Sequence, residues 1–171
     1  MPNPITGDPN ARDISQFANG LTGTCLCGAV RVTIHDDELF TKRRGHLCHC
    51  ENCRKVSGSH VAPNIVIESD KVEIQDTEGT LKTYTDYATT SGVPIVRYFC
   101  ARDGSPINST SENLPGMFVV KLGLFPRIPV PEMETFALHR HPWEPAVEGT
   151  VKFKLGFGGE VIEENEGYSS I

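Results

Sequence analysis

Three cysteines lie within six residues, Cys48-His49-Cys50-Glu51-Asn52-Cys53, and they are the strongest chemical signal in the sequence. A C-x-x-C spacing lets a tight turn aim two sulfurs at one point about 2.3 Å from a zinc ion. Cys48 adds a third sulfur from the entering strand, because positions i and i+2 of a strand share a face. Three ligands leave a tetrahedral ion one short. Water, a substrate or a distant side chain must take the fourth place, which catalytic zinc keeps open and structural zinc closes. An open zinc of this kind can lower the pKa of a bound thiol or polarise a carbonyl oxygen. Three thiolates also leave the site with net negative charge, so thiolate chemistry calls for cations nearby. Arg54 and Lys55 follow the last ligand and are the candidates, with solvated surface charge as the competing reading.

Proton shuttles come from the same region. His46 lies two before Cys48 and can face the site, whereas His49 lies between two ligands and should point away from the metal. His60 is a third candidate, and Glu51 and Ser57 could orient ligand sulfurs. His139 and His141 share a face if their segment is a strand. Tyr84, Phe99 and Trp143 are pocket candidates, although such aromatics more often serve the core.

A second cluster needs a distant partner. Cys25-Leu26-Cys27 puts two sulfurs on one strand face, and Cys100-Ala101-Arg102-Asp103 offers a sulfur and a carboxylate at knuckle spacing. Cys25, Cys27, Cys100 and Asp103 could close a structural zinc site, since carboxylate is an acceptable ligand. The other reading of Asp103-Gly104 is an ordinary turn.

The elements that must carry these residues are short strands. Val30, Val32 and Ile34 alternate with polar neighbours, as do Val72 and Ile74, then Phe118, Val120 and Leu122, then Phe136 and Leu138. Val151, Phe153, Leu155 and Phe157 give the cleanest period of two. Ile95 to Cys100 is a nearly continuous apolar run interrupted by Arg97 and reads as a more buried strand. Turn residues separate these runs, Glu51 to Ser57 reads as a short helical turn, and Pro126 to Pro131 as an extended crossover. The fold class is mainly β. Residues 1–20 read as a mobile arm, 21–159 as the domain, and 160–171 as an acidic tail.

With 171 residues the chain suits one domain that folds without staples. Its six cysteines are clustered and no secretory signal opens the chain, so metal chemistry is favoured over disulfides and a cytoplasmic location is expected. A formal charge of −6 argues against nucleic acid, and the lack of a long apolar run argues against a membrane span. Small molecules are the expected partners, and a homo-oligomer is possible.

Three blocks together resemble one family. They are Thr24-Cys25-Leu26-Cys27-Gly28-Ala29-Val30, Cys48 through Gly58, and Phe99-Cys100-Ala101-Arg102-Asp103-Gly104-Ser105-Pro106-Ile107. In order and spacing they are similar to the glutathione-dependent formaldehyde-activating enzyme/centromere protein V family. The resemblance runs from about Leu21 to Pro145 and ends with His141-Pro142-Trp143. It implies a β-tent fold of small twisted antiparallel sheets with zinc knuckles, and carbon–sulfur lyase chemistry in which a thiol such as glutathione adds reversibly to an aldehyde. It implies Cys25, Cys27 and Cys100 as structural ligands and Cys48, Cys50 and Cys53 as the catalytic set; Arg54 and His46 join the catalytic candidates from their positions beside that set, not from the resemblance. Asp103 stands where the family pattern has a cysteine, which predicts weaker zinc binding or another metal preference. Lys121 to Arg127 lacks the family's acidic turn, which points to a substrate other than formaldehyde, such as a larger metabolite. A non-catalytic zinc-binding interaction module and a redox sensor are the alternatives.

Overall fold

Val30, Val32 and Ile34 are fully buried in the computed structural model, which describes residues 7–11 and 13–162. Their alternation marks the second of eleven strands among the described residues. In chain order these are β1 (Leu21–Thr24), β2 (Val30–Ile34), β3 (Gly45–Cys48), β4 (Ala62–Glu68), β5 (Val72–Asp76), β6 (Leu81–Asp86), β7 (Ile95–Cys100), β8 (Pro106–Ser111), β9 (Met117–Lys121), β10 (Pro131–Thr135) and β11 (Val151–Lys152). A single short α-helix, α1 (Glu51–Ser57), joins β3 to β4 among these residues. The expected mainly β fold is what the structure has.

The strands form two sheets. A three-stranded sheet runs β1-β2-β5, and an eight-stranded sheet runs β11-β10-β3-β4-β9-β8-β7-β6. Every pairing is antiparallel except β3 with β10 and β10 with β11, which are parallel. Period-two alternation gives the large sheet two different faces. Ile65 and Ile67 of β4, Ile107 of β8 and Val120 of β9 point one way. They meet Leu21, Val30, Val32 and Ile34 of the small sheet in one apolar core. The residues in between, among them Val66, Met117, Val119 and Lys121, point the other way and line a cavity. The same strands therefore build the core and the site.

One close approach fixes how the small sheet sits. A Cβ on Gly23 of β1 would lie 2.4 Å from the Leu124 carbonyl oxygen, so the 3-10 turn Leu122–Leu124 packs directly on backbone there. At the other edge, the arm preceding β1 contains the 3-10 turn Ile14–Phe17, capped by Asp13. Phe17 packs on the core and its ring centroid lies 5.5 Å from that of Phe40. The expectations for residues 1–6 and for 163–171 of the acidic tail lie outside the described residues.

Two segments differ from their alternation. β10 stops at Thr135 because Phe136 takes a left-handed conformation (φ 53°), after which Ala137–His139 form a 3-10 turn. The N–H groups of Phe136, Ala137 and Leu138 donate to the carbonyls of Leu155, Phe153 and Lys154. Those carbonyls are thus committed to a turn rather than to a ladder. The strand expected over Val151–Phe157 shrinks to β11 and a single bridge from Phe153 to Val161. His139 and His141 accordingly do not share a strand face.

Candidate active site

β3 delivers Cys48 at its last position, and the chain turns at once into α1. Cys50 is the N-cap of that helix. Its extended backbone (φ −61°, ψ 148°) lets the sulfur accept the Cys53 N–H at 3.3 Å, and left-handed Gly58 ends the helix. A sulfur therefore does the work of the usual Ser or Asp cap, and capping holds Cys50 and Cys53 on the same side. The sulfurs of Cys48, Cys50 and Cys53 lie within 4.8 Å of one another. Among the described residues no His, Asp or Glu joins them in a cluster of that size. Three converging thiols suit zinc. Bonds from Cys48 and Cys50, with the charges of Lys121 and Arg97 nearby, draw the Cys53 thiol well below its ordinary value.

Two of the three cysteines, Cys48 and Cys53, line a cavity of about 810 Å³. His46 and Cys48 both line it, as the i, i+2 relation along β3 requires. His46 Nε2 lies 2.7 Å from Thr135 Oγ1, and its Nδ1 is buried with no protein partner. Burial pushes the imidazole down to about 4, so it is neutral at pH 7. Lys121, only 6% exposed, enters from β9 and donates to Asn64 Oδ1 at 2.9 Å. Burial lowers its pKa, and the Cys53 thiolate works against that. Arg97 enters from β7 and gives two bonds to Asp86 Oδ2, at 2.9 and 2.6 Å. Asn52, between Cys50 and Cys53, donates to the same Asp86 oxygen at 3.0 Å and to the Ala88 carbonyl at 2.8 Å. Asp86 thus ties the cysteine helix to β6 and β7.

On the opposite side of the loop, His49 points away from the sulfurs, as its position between two ligands requires. It is 1% exposed, with Nε2 2.9 Å from Glu134 Oε2 and Nδ1 3.6 Å from Glu144. Glu134 also accepts from Thr150 Oγ1 at 2.9 Å and from the Val147 N–H at 3.0 Å, and it pairs with Arg140 at 3.1 Å. Burial alone would raise its pKa. The bonds from His49 and Thr150, with the charge of Arg140, hold it instead at about 2. This buried network clamps the cysteine loop to β10.

The cations expected from the sequence sit elsewhere. Arg54 Nη1 lies 2.9 Å from His141 Nε2, and the His141 ring stacks on Trp143. Lys55 pairs with Glu51 on the surface, and both residues, with Arg54, border a separate shallow depression with His60. Ser57 Oγ donates to the Arg54 carbonyl rather than to a sulfur. Tyr84 and Trp143 are 63% and 69% exposed, and Phe136 and Phe157 line the cavity instead. Sequence reasoning missed Lys121 and Arg97 as the cations beside the sulfurs. Two signals for them existed. Arg97 breaks an apolar run, and Lys121 stands out of phase with Phe118 and Val120, which puts it on the other face of its strand.

The second cluster assembles from β1–β2 and β7. Cys25, Cys27, Cys100 and Asp103 bring one ligand atom each within 4.8 Å of the others. Sulfur separations of 3.5 Å (Cys25–Cys27) and 3.7 Å (Cys27–Cys100) are close to the edge of a tetrahedron with 2.3 Å bonds, about 3.8 Å. Asp103 is also a turn residue. Its Oδ1 accepts the Ser105 N–H at 2.7 Å and its Oδ2 the Cys27 N–H at 2.8 Å, which holds the carboxyl ionised well below the usual range despite desolvation. The two readings of Asp103 are therefore compatible, because the bonds that make the turn also aim the carboxylate at the sulfurs.

Residues 20–139 match the model of a family described as glutathione-dependent formaldehyde-activating enzyme. No curated protein matches the sequence. A crystal structure of a Rhodobacter sphaeroides protein is similar at 19% identity, over 61% of this chain and 86% of that one, with a TM-score of 0.47. No helix among the described residues is long and apolar enough to cross a membrane.

Proposed function

The chain belongs to the glutathione-dependent formaldehyde-activating enzyme family, and on that footing we propose that it is a zinc-dependent carbon–sulfur lyase. Its reaction is the reversible addition of a thiol such as glutathione to an aldehyde. One observation carries the reading. Three cysteine sulfurs converge beside a cavity that Cys48 and Cys53 line, and no His, Asp or Glu joins their cluster among the described residues.

Zinc held by Cys48, Cys50 and Cys53 supplies a lowered thiol pKa and Lewis acidity towards a carbonyl. The addition makes one C–S bond and moves the thiol proton to the former carbonyl oxygen. Lys121 and Arg97 offset the negative charge of three thiolates, and Asn64 holds the Lys121 ammonium in place. His46 presents a neutral imidazole whose Nδ1 has no protein partner, so it can accept and return that proton. Arg54 acts through α1 in this reading, because its guanidinium is bonded to His141. Cys25, Cys27, Cys100 and Asp103 are the residues that would hold a second zinc, in a structural role.

The test is metal analysis combined with exchange NMR of glutathione and a panel of aldehydes. We expect zinc at the Cys48 cluster and exchange faster than the uncatalysed rate. Full zinc occupancy with no acceleration for any aldehyde would overturn the reading.

A further inference from the structure

The cavity is larger and less polar than thiol–formaldehyde chemistry needs. Formaldehyde has two heavy atoms, whereas about 810 Å³ is the size of pocket that encloses a drug-sized molecule. Glutathione brings two carboxylates and an ammonium. The cavity lining has two cations to meet them, Arg97 and Lys121. Arg97 is already bound through two nitrogens to Asp86, and Lys121 is held at the sulfur end by its bond to Asn64. Val66, Met117, Val119, Met133 and Phe136 give the β4, β9 and β10 side of the chamber its apolar lining, with Glu132 beside Met133, while β8 and residues 89–91 contribute hydroxyls to the rest of the wall. Phe136 holds a left-handed backbone that an aromatic residue rarely adopts, and it does so where its ring borders the chamber.

We propose that the aldehyde partner is an uncharged molecule with an aromatic or medium-chain alkyl body, and that this body occupies the chamber between β4, β9 and β10. The proposal rests on the thiol–aldehyde reading above and goes beyond it by naming the substrate class. The carbonyl lies towards Cys48, His46 and Lys121, and the apolar body lies along Met117 and Val119. β9 sets this order, because positions 117, 119 and 121 alternate on one strand face and step from apolar to cationic towards the cysteines.

The experiment compares acceleration over the uncatalysed rate for glutathione with benzaldehyde and hexanal against formaldehyde and acetaldehyde, using the zinc-loaded full chain. We expect at least a tenfold larger acceleration for the first pair. Val119→Asp should bring that ratio down towards one, and Val119→Thr, nearly the same shape, should lower it partway. Equal or greater acceleration of formaldehyde would overturn the proposal and leave the lyase reading standing. If no aldehyde is accelerated, the lyase reading fails and binding decides the chamber. Saturation-transfer NMR with benzyl alcohol, which cannot react, should then show contact that Val119→Asp removes. Absence of contact in the unmodified protein would overturn the proposal.

Discussion

Replacing Glu134 by Gln removes one charge from the clamp under the cysteine loop and almost nothing else. The glutamate is 1% exposed and its carboxyl titrates at about 2 instead of the ordinary 4.5. At 1.36 kcal/mol per pH unit, that difference corresponds to about 3 kcal/mol of stability from the ionised form. Because the folded pKa is the lower one, the contribution is complete above about pH 5 and fades as pH falls through 4.5 towards about 2. Glu134→Gln should therefore cost about 3 kcal/mol at pH 7, a little under half of that at pH 3, and a few tenths of a kcal/mol near pH 2. The variant also turns the ion pair of Glu134 with Arg140 into a contact with a neutral amide. Urea unfolding of both proteins from pH 7 to pH 3 measures the gap. Acid loss of thiolate ligation is common to the two and cancels in the difference. A gap at pH 7 of less than about 1 kcal/mol, or one that does not narrow in acid, would refute the reasoning.

Three further outcomes are expected. Lys121→Met keeps the bulk of the side chain and removes the ammonium facing Cys53, so kcat/KM for thiol addition should fall on the order of a hundredfold with zinc retained, as steady-state kinetics and metal analysis will show. Asp103→Ala removes the acceptor for the Cys27 and Ser105 N–H groups and should destabilise the protein by about 1–3 kcal/mol; metal analysis should show the second zinc weakened and the first retained. Gly23→Ala sets a methyl against the Leu124 carbonyl at 2.4 Å and should cost about 1–3 kcal/mol in thermal or denaturant unfolding.

The cysteine groups were legible because their geometry is local. Six residues suffice to bring Cys48, Cys50 and Cys53 together, and alternation was enough to turn His49 away from the sulfurs and His46 towards the cavity. The helix Glu51–Ser57 and the strands through Val30 and Ile95 followed from the same local signals. Lys121 and Arg97 were not legible as site residues, because strand order decides which side chains share a cavity. β7 and β9 reach the cysteines only through the chain of pairings from β4 to β8. The parallel β3–β10 ladder has no sequence signature at all, and with it went the role of Glu134. The expected strand over Val151–Phe157 failed because Phe136 turns the chain and its neighbours claim the carbonyls that a ladder would have used.

That parallel ladder also sets a timetable. His49 and Glu134 are 85 residues apart, and Cys27 and Cys100 are 73 apart. During synthesis the three clustered thiols leave the ribosome long before the strand that clamps them exists, and contacts of such long range are slow to form. For that interval Cys48, Cys50 and Cys53 are a local, solvent-facing metal trap with no cavity above them. Metal loading can thus precede closure of the fold. The nascent chain gains a cross-link that narrows its search, and the same thiols are most open to oxidation if zinc is scarce.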